Sequence, residues 1–174
     1  MSKQGILTTL KTLTEKAINP IKRGEEYFDS DASILPNMER SLQFDGYSCG
    51  VQSTYIILKH YGKARSVQNV DNELCAFQRG YASETAIYKL LRKRNLKVSR
   101  RLKANISTIK ESIDEYEAPM LTTIDGNDHW VVIYGYSQTN IYVLDSVLLR
   151  PFVRWSKADF KARWDKWGAI IYRS

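Results

Sequence analysis

Cys49 lies in the stretch QFDGYSCGVQSTYIILKHYG, residues 43–62, between Ser48 and Gly50 and directly before an apolar-patterned run. Thiol attack on a carbonyl needs a stabilised thiolate, a base, a group that orients the base, and donors for an oxyanion. The sequence offers a candidate for each. Val51, Tyr55 and Leu58, flanked by Ile56 and Ile57, form a broad apolar stripe that predicts a helix over Cys49–Tyr61, with Gly62 as its C-terminal cap. Cys49 then sits at the helix start, where unpaired N–H groups and the helix dipole favour an anion. Gly46, Ser48 and Gly50 keep its surroundings small. The Cys49 backbone N–H and the Gln43 carboxamide, six residues earlier, are candidate oxyanion donors. His129 opens the apolar run HWVVIYGY and is the candidate base. Asp145 ends IYVLD and is the only acid between Asp128 and Asp159. A carboxylate in so apolar a run needs a partner, and His129 is the natural one, since a carboxylate on one ring nitrogen fixes the tautomer and steadies the cation.

These four residues depend on the elements that carry them. A short amphipathic helix is expected within residues 5–18, ended by Asn19-Pro20, and an irregular connection over residues 20–40. Beyond the cysteine helix, helices are expected over Asn69–Phe77, from Ser83 to Arg94 and over Ile106–Tyr116, with an edge strand near residues 96–102. The texture then turns strand-like. PMLTTI, HWVVIYGY and IYVLDSVLL are separated by the turn signals DGND and SQTN, which predicts an antiparallel sheet. Ser156, with Asp159 three residues on, marks the start of a closing helix, and GAIIYRS reads as a last strand. Helices first and strands second make the class α+β, with a helical half packed on an antiparallel sheet. One register problem follows. A symmetric hairpin with Gln138-Thr139 at its tip offsets His129 from Asp145 by about three positions, on opposite faces, so a bulge or an asymmetric loop is required between them.

The order Gln43, Cys49-Gly50, His129, Asp145 resembles papain-like cysteine peptidases, and in detail the bacteriocin-processing, or double-glycine leader, peptidase family and its stand-alone relatives. QFDGYSCG, LKHYG, DHWVVIYGY and YVLDS carry the resemblance, and KADFKARW resembles the family's closing helix. It covers roughly residues 40–172. It implies a papain-like peptidase domain over 41–174, and the amphipathic helix and connecting segment read from the spacing above occupy 1–40. It further implies cleavage of a peptide bond, in a leader or precursor peptide, with Cys49, His129, Asp145 and Gln43 in the roles above. Two departures stand out. Ser48 precedes the cysteine where the family usually has Asp, and Ser146 follows Asp145 where the family usually has Pro. The same site would also serve an acyltransferase, and a catalytically idle peptide- or membrane-binding module is the reading from another class.

At 174 residues with 43% hydrophobic content, the chain suits one domain with at most a tail, and it can form a packed core without disulfides or metal. Two cysteines fit a reducing compartment, and the N-terminus has no continuous apolar core or cleavage site, so a cytoplasmic setting is expected, with no transmembrane segment. No cofactor and no metal are expected, because Cys49, Cys75, His60 and His129 have no metal-ligand spacing. Cys75 is expected in the core, and His60, late in the cysteine helix, is placed where a cationic imidazole would suit the terminal carbonyls. The net charge is +7, with 26 basic against 19 acidic residues, which favours acidic partners. The block Lys89–Lys103, eight cations and no acid, reads as a solvated helix face followed by a charge-protected edge strand. Docking on an anionic surface or acidic partner is its functional alternative, with nucleic acid disfavoured. The expected partner of the site itself is a peptide or protein substrate.

Overall fold

The computed structural model describes residues 28–147 and 152–173, so the helix expected within residues 5–18 lies outside the described residues. The chain divides into two units, 1–32 and 33–174. Inside the second, Ser33–Ile34 form a short strand, β1, in what the sequence suggested was an irregular connection. The helical half follows: α1 (Cys49–His60), α2 (Val67–Leu74), α3 (Ala76–Arg79) and α4 (Glu84–Lys93). Then come β2 (Lys97–Arg101), α5 (Ile106–Lys110) with a π turn over Glu111–Glu115, β3 (Met120–Ile124), β4 (His129–Tyr136) and β5 (Asn140–Leu144). The chain closes with β6 (Phe152–Ser156), α6 (Lys157–Arg163) and β7 (Gly168–Tyr172). The sheet order is β2-β7-β3-β4-β5-β6, with β1 on β4 and every named pair antiparallel. This is the α+β arrangement expected. Among the described residues no helix is long and apolar enough to cross a membrane.

α1 is the spine of the molecule. Eight of its twelve residues are buried, including Val51, Ile56, Ile57 and Leu58. A helix buried on most of its circumference must be central, and α1 packs on β4 with α2 and α4 also against it. It ends in a Schellman cap: Gly62, at φ +67°, donates to the Lys59 carbonyl and Lys63 donates to the Leu58 carbonyl. β4 is buried through its length apart from its two ends, which suits a central strand of apolar sequence.

Three helical expectations need correction. The helix expected over Asn69–Phe77 runs from Val67 and breaks at Cys75, which adopts φ +53°. The buried Asp71 carboxylate explains the break, because it accepts from the Phe77 N–H (3.0 Å) and from the Tyr47 hydroxyl (3.2 Å), turning the chain there. Cys75 is therefore half-buried at a helix junction rather than in the core. The helix expected over Ile106–Tyr116 gives way to the π turn, closed by Tyr116 N–H to the Glu111 carbonyl. The surroundings of His60, at the helix end, oppose a cation there. Burial, with the nearby Arg173 charge, holds its pKa below the usual imidazole value and outweighs a backbone hydrogen bond at Asn37.

The basic block is β2 and the end of α4. Among the described residues β2 lies at the sheet edge and pairs only with β7. Four of its eight cations meet carboxylates of the protein itself: Lys93 and Arg94 both reach Glu73, Arg100 reaches Glu84, and Arg101 reaches Glu111. This matches the reading of a solvated helix face and a charge-protected edge.

Candidate active site

The β3–β4 hairpin supplies the histidine. Ile124 pairs with His129 across the turn Asp125-Gly126-Asn127-Asp128, whose first three residues have positive φ. Asp165 clamps this turn by accepting from the Gly126 and Asn127 N–H groups (2.9 and 2.8 Å), and Arg163 holds Asp125. The closing helix and the turn after it thus fix the strand mouth on which His129 stands.

The register between β4 and β5 carries the bulge that the sequence required. Val132 pairs with Leu144 and Ile133 with Val143, but Gly135 pairs with Tyr142, leaving Tyr134 as an extra residue. Extending the Val132–Leu144 pairing puts Asp145 opposite Val131, two positions from His129 and on the same face. His129 Nε2 then lies 2.7 Å from Asp145 Oδ1. β1 crosses β4 beyond this bulge, which needs Gly135: a Cβ there would stand 2.7 Å from the Ser33 carbonyl oxygen and 2.3 Å from Ile34 Cδ1.

α1 supplies the cysteine. Cys49 is its first residue and is half-buried, preceded by Ser48 as N-cap. The approach is shaped by Asp45, whose carboxylate accepts from the N–H groups of Tyr47 (3.0 Å) and Ser48 (2.7 Å). α1 is locked to β4 by the Ser53 hydroxyl, which donates to the Trp130 carbonyl (3.2 Å). Gly50 does more than keep space for a substrate. A Cβ on it would lie 2.8 Å from Ala82 Cβ and 3.1 Å from the Trp130 ring, so the glycine lets the helix approach strand and loop closely. In Gly50→Ala the gain in helix propensity, up to ~1 kcal/mol, is outweighed by overpacking. The variant is expected to melt several degrees lower and to lose activity, which thermal melts and a cleavage assay check.

Cysteine, histidine and aspartate therefore meet. Asp145 is 2% exposed and also accepts from the Val147 N–H (2.9 Å). Nε2 faces Asp145, which leaves Nδ1 as the ring nitrogen available to Cys49, with which His129 also interacts. Burial disfavours the His129 cation. Hydrogen bonds to Asp145 and Cys49, with the charges of both, outweigh it, and the pKa is pushed up to about 9. An imidazole so placed can hold a proton beside a thiolate and pass it on. Gln43 joins from the other side. Its backbone N–H donates to the Ser146 carbonyl (2.7 Å), its side-chain Oε1 accepts from Ser146 Oγ (2.6 Å), and its Nε2 donates to the Asp45 carbonyl (2.9 Å). It is thereby tied both to the segment after Asp145 and to the turn before Cys49. The structural partners Trp130, Ala82, Asp45, Asp165 and Ser146 were not evident from the sequence. For Ser146 there was a signal, its place where the resembled family has Pro. A cleft of about 750 Å³ opens on Cys49, lined on its apolar side by Tyr47, Tyr81, Leu102, Trp130 and Trp167.

A helix that starts on a cysteine, packed against an antiparallel sheet bearing a histidine hydrogen-bonded to a buried aspartate, defines the papain-like cysteine peptidase class. Residues 37–174 match the Peptidase C39 family, and the chain belongs to that family of cysteine peptidases. Solved structures agree on the fold. The peptidase domain of Streptococcus ComA, a bifunctional ABC transporter of a quorum-sensing pathway, is 17% identical with TM-score 0.67, covering 79% of this chain and 100% of that one. A C39-like peptidase from Bacillus anthracis is 18% identical with TM-score 0.67, covering 83% and 100%. A double glycine motif protease from an AMS/PCAT transporter, solved with its leader peptide, is 17% identical with TM-score 0.62, covering 79% and 96%. No curated protein matches the chain.

Proposed function

We propose that the chain hydrolyses a peptide bond in a leader or precursor peptide, with Cys49 as nucleophile. The observation that carries this reading is His129 hydrogen-bonded at 2.7 Å to the buried Asp145 carboxylate and interacting with Cys49, the first residue of a twelve-residue helix. Cys49 Sγ attacks the scissile carbonyl, forming an S–C bond while the carbonyl oxygen becomes an oxyanion. The Cys49 N–H and a Gln43 Nε2–H receive that charge. The His129 Nδ1 proton goes to the departing amine as the C–N bond breaks, leaving a thioester. Neutral His129 then takes a proton from water, whose oxygen attacks the thioester and releases the acid and the thiolate. Asp145 holds Nε2–H throughout, so Nδ1 stays on the thiol side.

The relative solved with its leader peptide makes a peptide with Gly-Gly before the scissile bond the first substrate to assay. Incubation of that peptide with the protein, followed by mass spectrometry, is expected to give two fragments split after the second glycine, with water as acceptor. Alkylation assigned by peptide mapping to Cys49 abolishes the cleavage, and alkylation of Cys75 alone does not. Product carrying an added amine without the free acid would instead make the enzyme an acyltransferase. Full cleavage by Cys49-alkylated protein would remove the thiol mechanism.

A further inference from the structure

Ser146 follows the aspartate directly. It is fully buried, yet it carries a hydroxyl aimed at a single side chain. We infer that Ser146 is a positioning residue that sets the orientation of the Gln43 carboxamide, and so joins the oxyanion donor to the same short segment that carries Asp145. The inference rests on the proposed role of Gln43.

The two ends of a carboxamide are nearly the same size, so only partners decide which way it faces. The Asp45 carbonyl can only accept, which requires Nε2 at 2.9 Å from it. Oε1 must then face Ser146, and the serine hydroxyl, at 2.6 Å, must donate. This uses one Nε2 hydrogen and leaves the second for an oxyanion. The backbone adds a second tie, since the Ser146 carbonyl accepts from the Gln43 N–H at 2.7 Å, and Gln43 and Val147 pair as a parallel bridge. Asp145 reaches His129 from this same segment, with its Oδ1 also accepting from Val147. One stretch of three residues thus reaches both the proton carrier and the anion donor. Proline at position 146 would have neither a hydroxyl nor any side-chain donor for Oε1.

The prediction is read from kcat. Removing a whole oxyanion donor costs about 10²–10³-fold in kcat, so loosening one through Ser146→Ala should cost about tenfold, with KM unchanged. Ser146→Thr keeps the hydroxyl and should recover kcat relative to Ser146→Val, which has the same shape without it. That pair reads the hydroxyl alone even where the alanine variant folds poorly. In a Gln43→Ala background Ser146→Ala should lower kcat no further. The alkaline limb of the pH profile should stay near that of the parent, because the His129–Asp145 contact is untouched. Equal losses from Ser146→Ala with and without Gln43, or equal kcat in the threonine and valine variants, would overturn the inference. So would an alkaline limb displaced by Ser146→Ala, which would mean that Ser146 acts through Asp145. Full activity in Gln43→Ala itself overturns the inference together with the oxyanion role of Gln43. Dependence on Cys49 is read separately by alkylation, so the peptidase reading stands or falls on its own.

Discussion

Cys49→Ala is expected to abolish cleavage, a loss on the order of 10⁵-fold or more in kcat, and His129→Ala is expected to do nearly the same. The two losses should not add. In the proposed mechanism thiol and imidazole act as one unit, so removing the second after the first takes away nothing that still works. The double variant should therefore match the single ones in a single-turnover assay. Folding should survive, since both side chains are only partly buried. Melting curves within a few degrees of the parent would confirm that chemistry, and not structure, has been lost. Residual turnover at a tenth of the parent rate in Cys49→Ala would rule out covalent catalysis.

Asp145→Asn comes next in size, and its signature is a change in pH dependence. The His129 pKa is raised from 6.5 to about 9, against burial, by hydrogen bonds to Asp145 and Cys49 and by their charges. A raised histidine pKa means that the cation is favoured in the folded enzyme. Activity that needs this cation is present below the limb and is lost as pH rises through about 9. The stability contributed by the charged pair follows the same sign, complete below about 6.5 and lost as pH climbs through about 9. Asparagine removes the carboxylate charge and leaves Cys49 as the remaining partner. The alkaline limb should move down toward 6.5, and kcat/KM at neutral pH should fall by about 10²–10⁴-fold, partly because the tautomer is no longer fixed. A pH–rate profile from 5 to 10 in parent and variant checks both. An alkaline limb that stays near 9 in Asp145→Asn would assign that ionisation elsewhere.

Much of this arrangement was legible in the chain. The start of α1 was readable because small residues precede an apolar stripe, and Gly62 marked its end. The two hairpins were readable because DGND and SQTN interrupt apolar runs, and the place of β2 at the edge agreed with its charges. Other features depend on contacts between residues far apart in sequence. Nothing local to Cys75 announces a helix break, which is made by Asp71 bonding to Phe77 and Tyr47. His60 looked suited to a positive charge from its place on the helix, yet its pKa is lowered chiefly by burial, which sequence position does not reveal. Gly50 suggested room for a substrate, while Ala82 and Trp130 show that the room is occupied by protein. The need for an irregularity between His129 and Asp145 could be deduced. Its position could not, because any residue from 130 to 144 could have supplied it.

That position bears on how such enzymes are found from sequence. His129 and Asp145 are sixteen residues apart, and the interval looks like a motif. What brings the two side chains together is the strand register that sets Val131 opposite Asp145, and the extra Tyr134 lies outside that stretch. A hairpin without the bulge, made by dropping Tyr134 or by adding one residue to β5 opposite it, would keep the imidazole and the carboxylate on one face with an interval one shorter or one longer. A one-residue change between Trp130 and Val132 would separate them. A search for distant relatives should therefore let the histidine–aspartate interval vary and hold the strand parity next to each residue fixed.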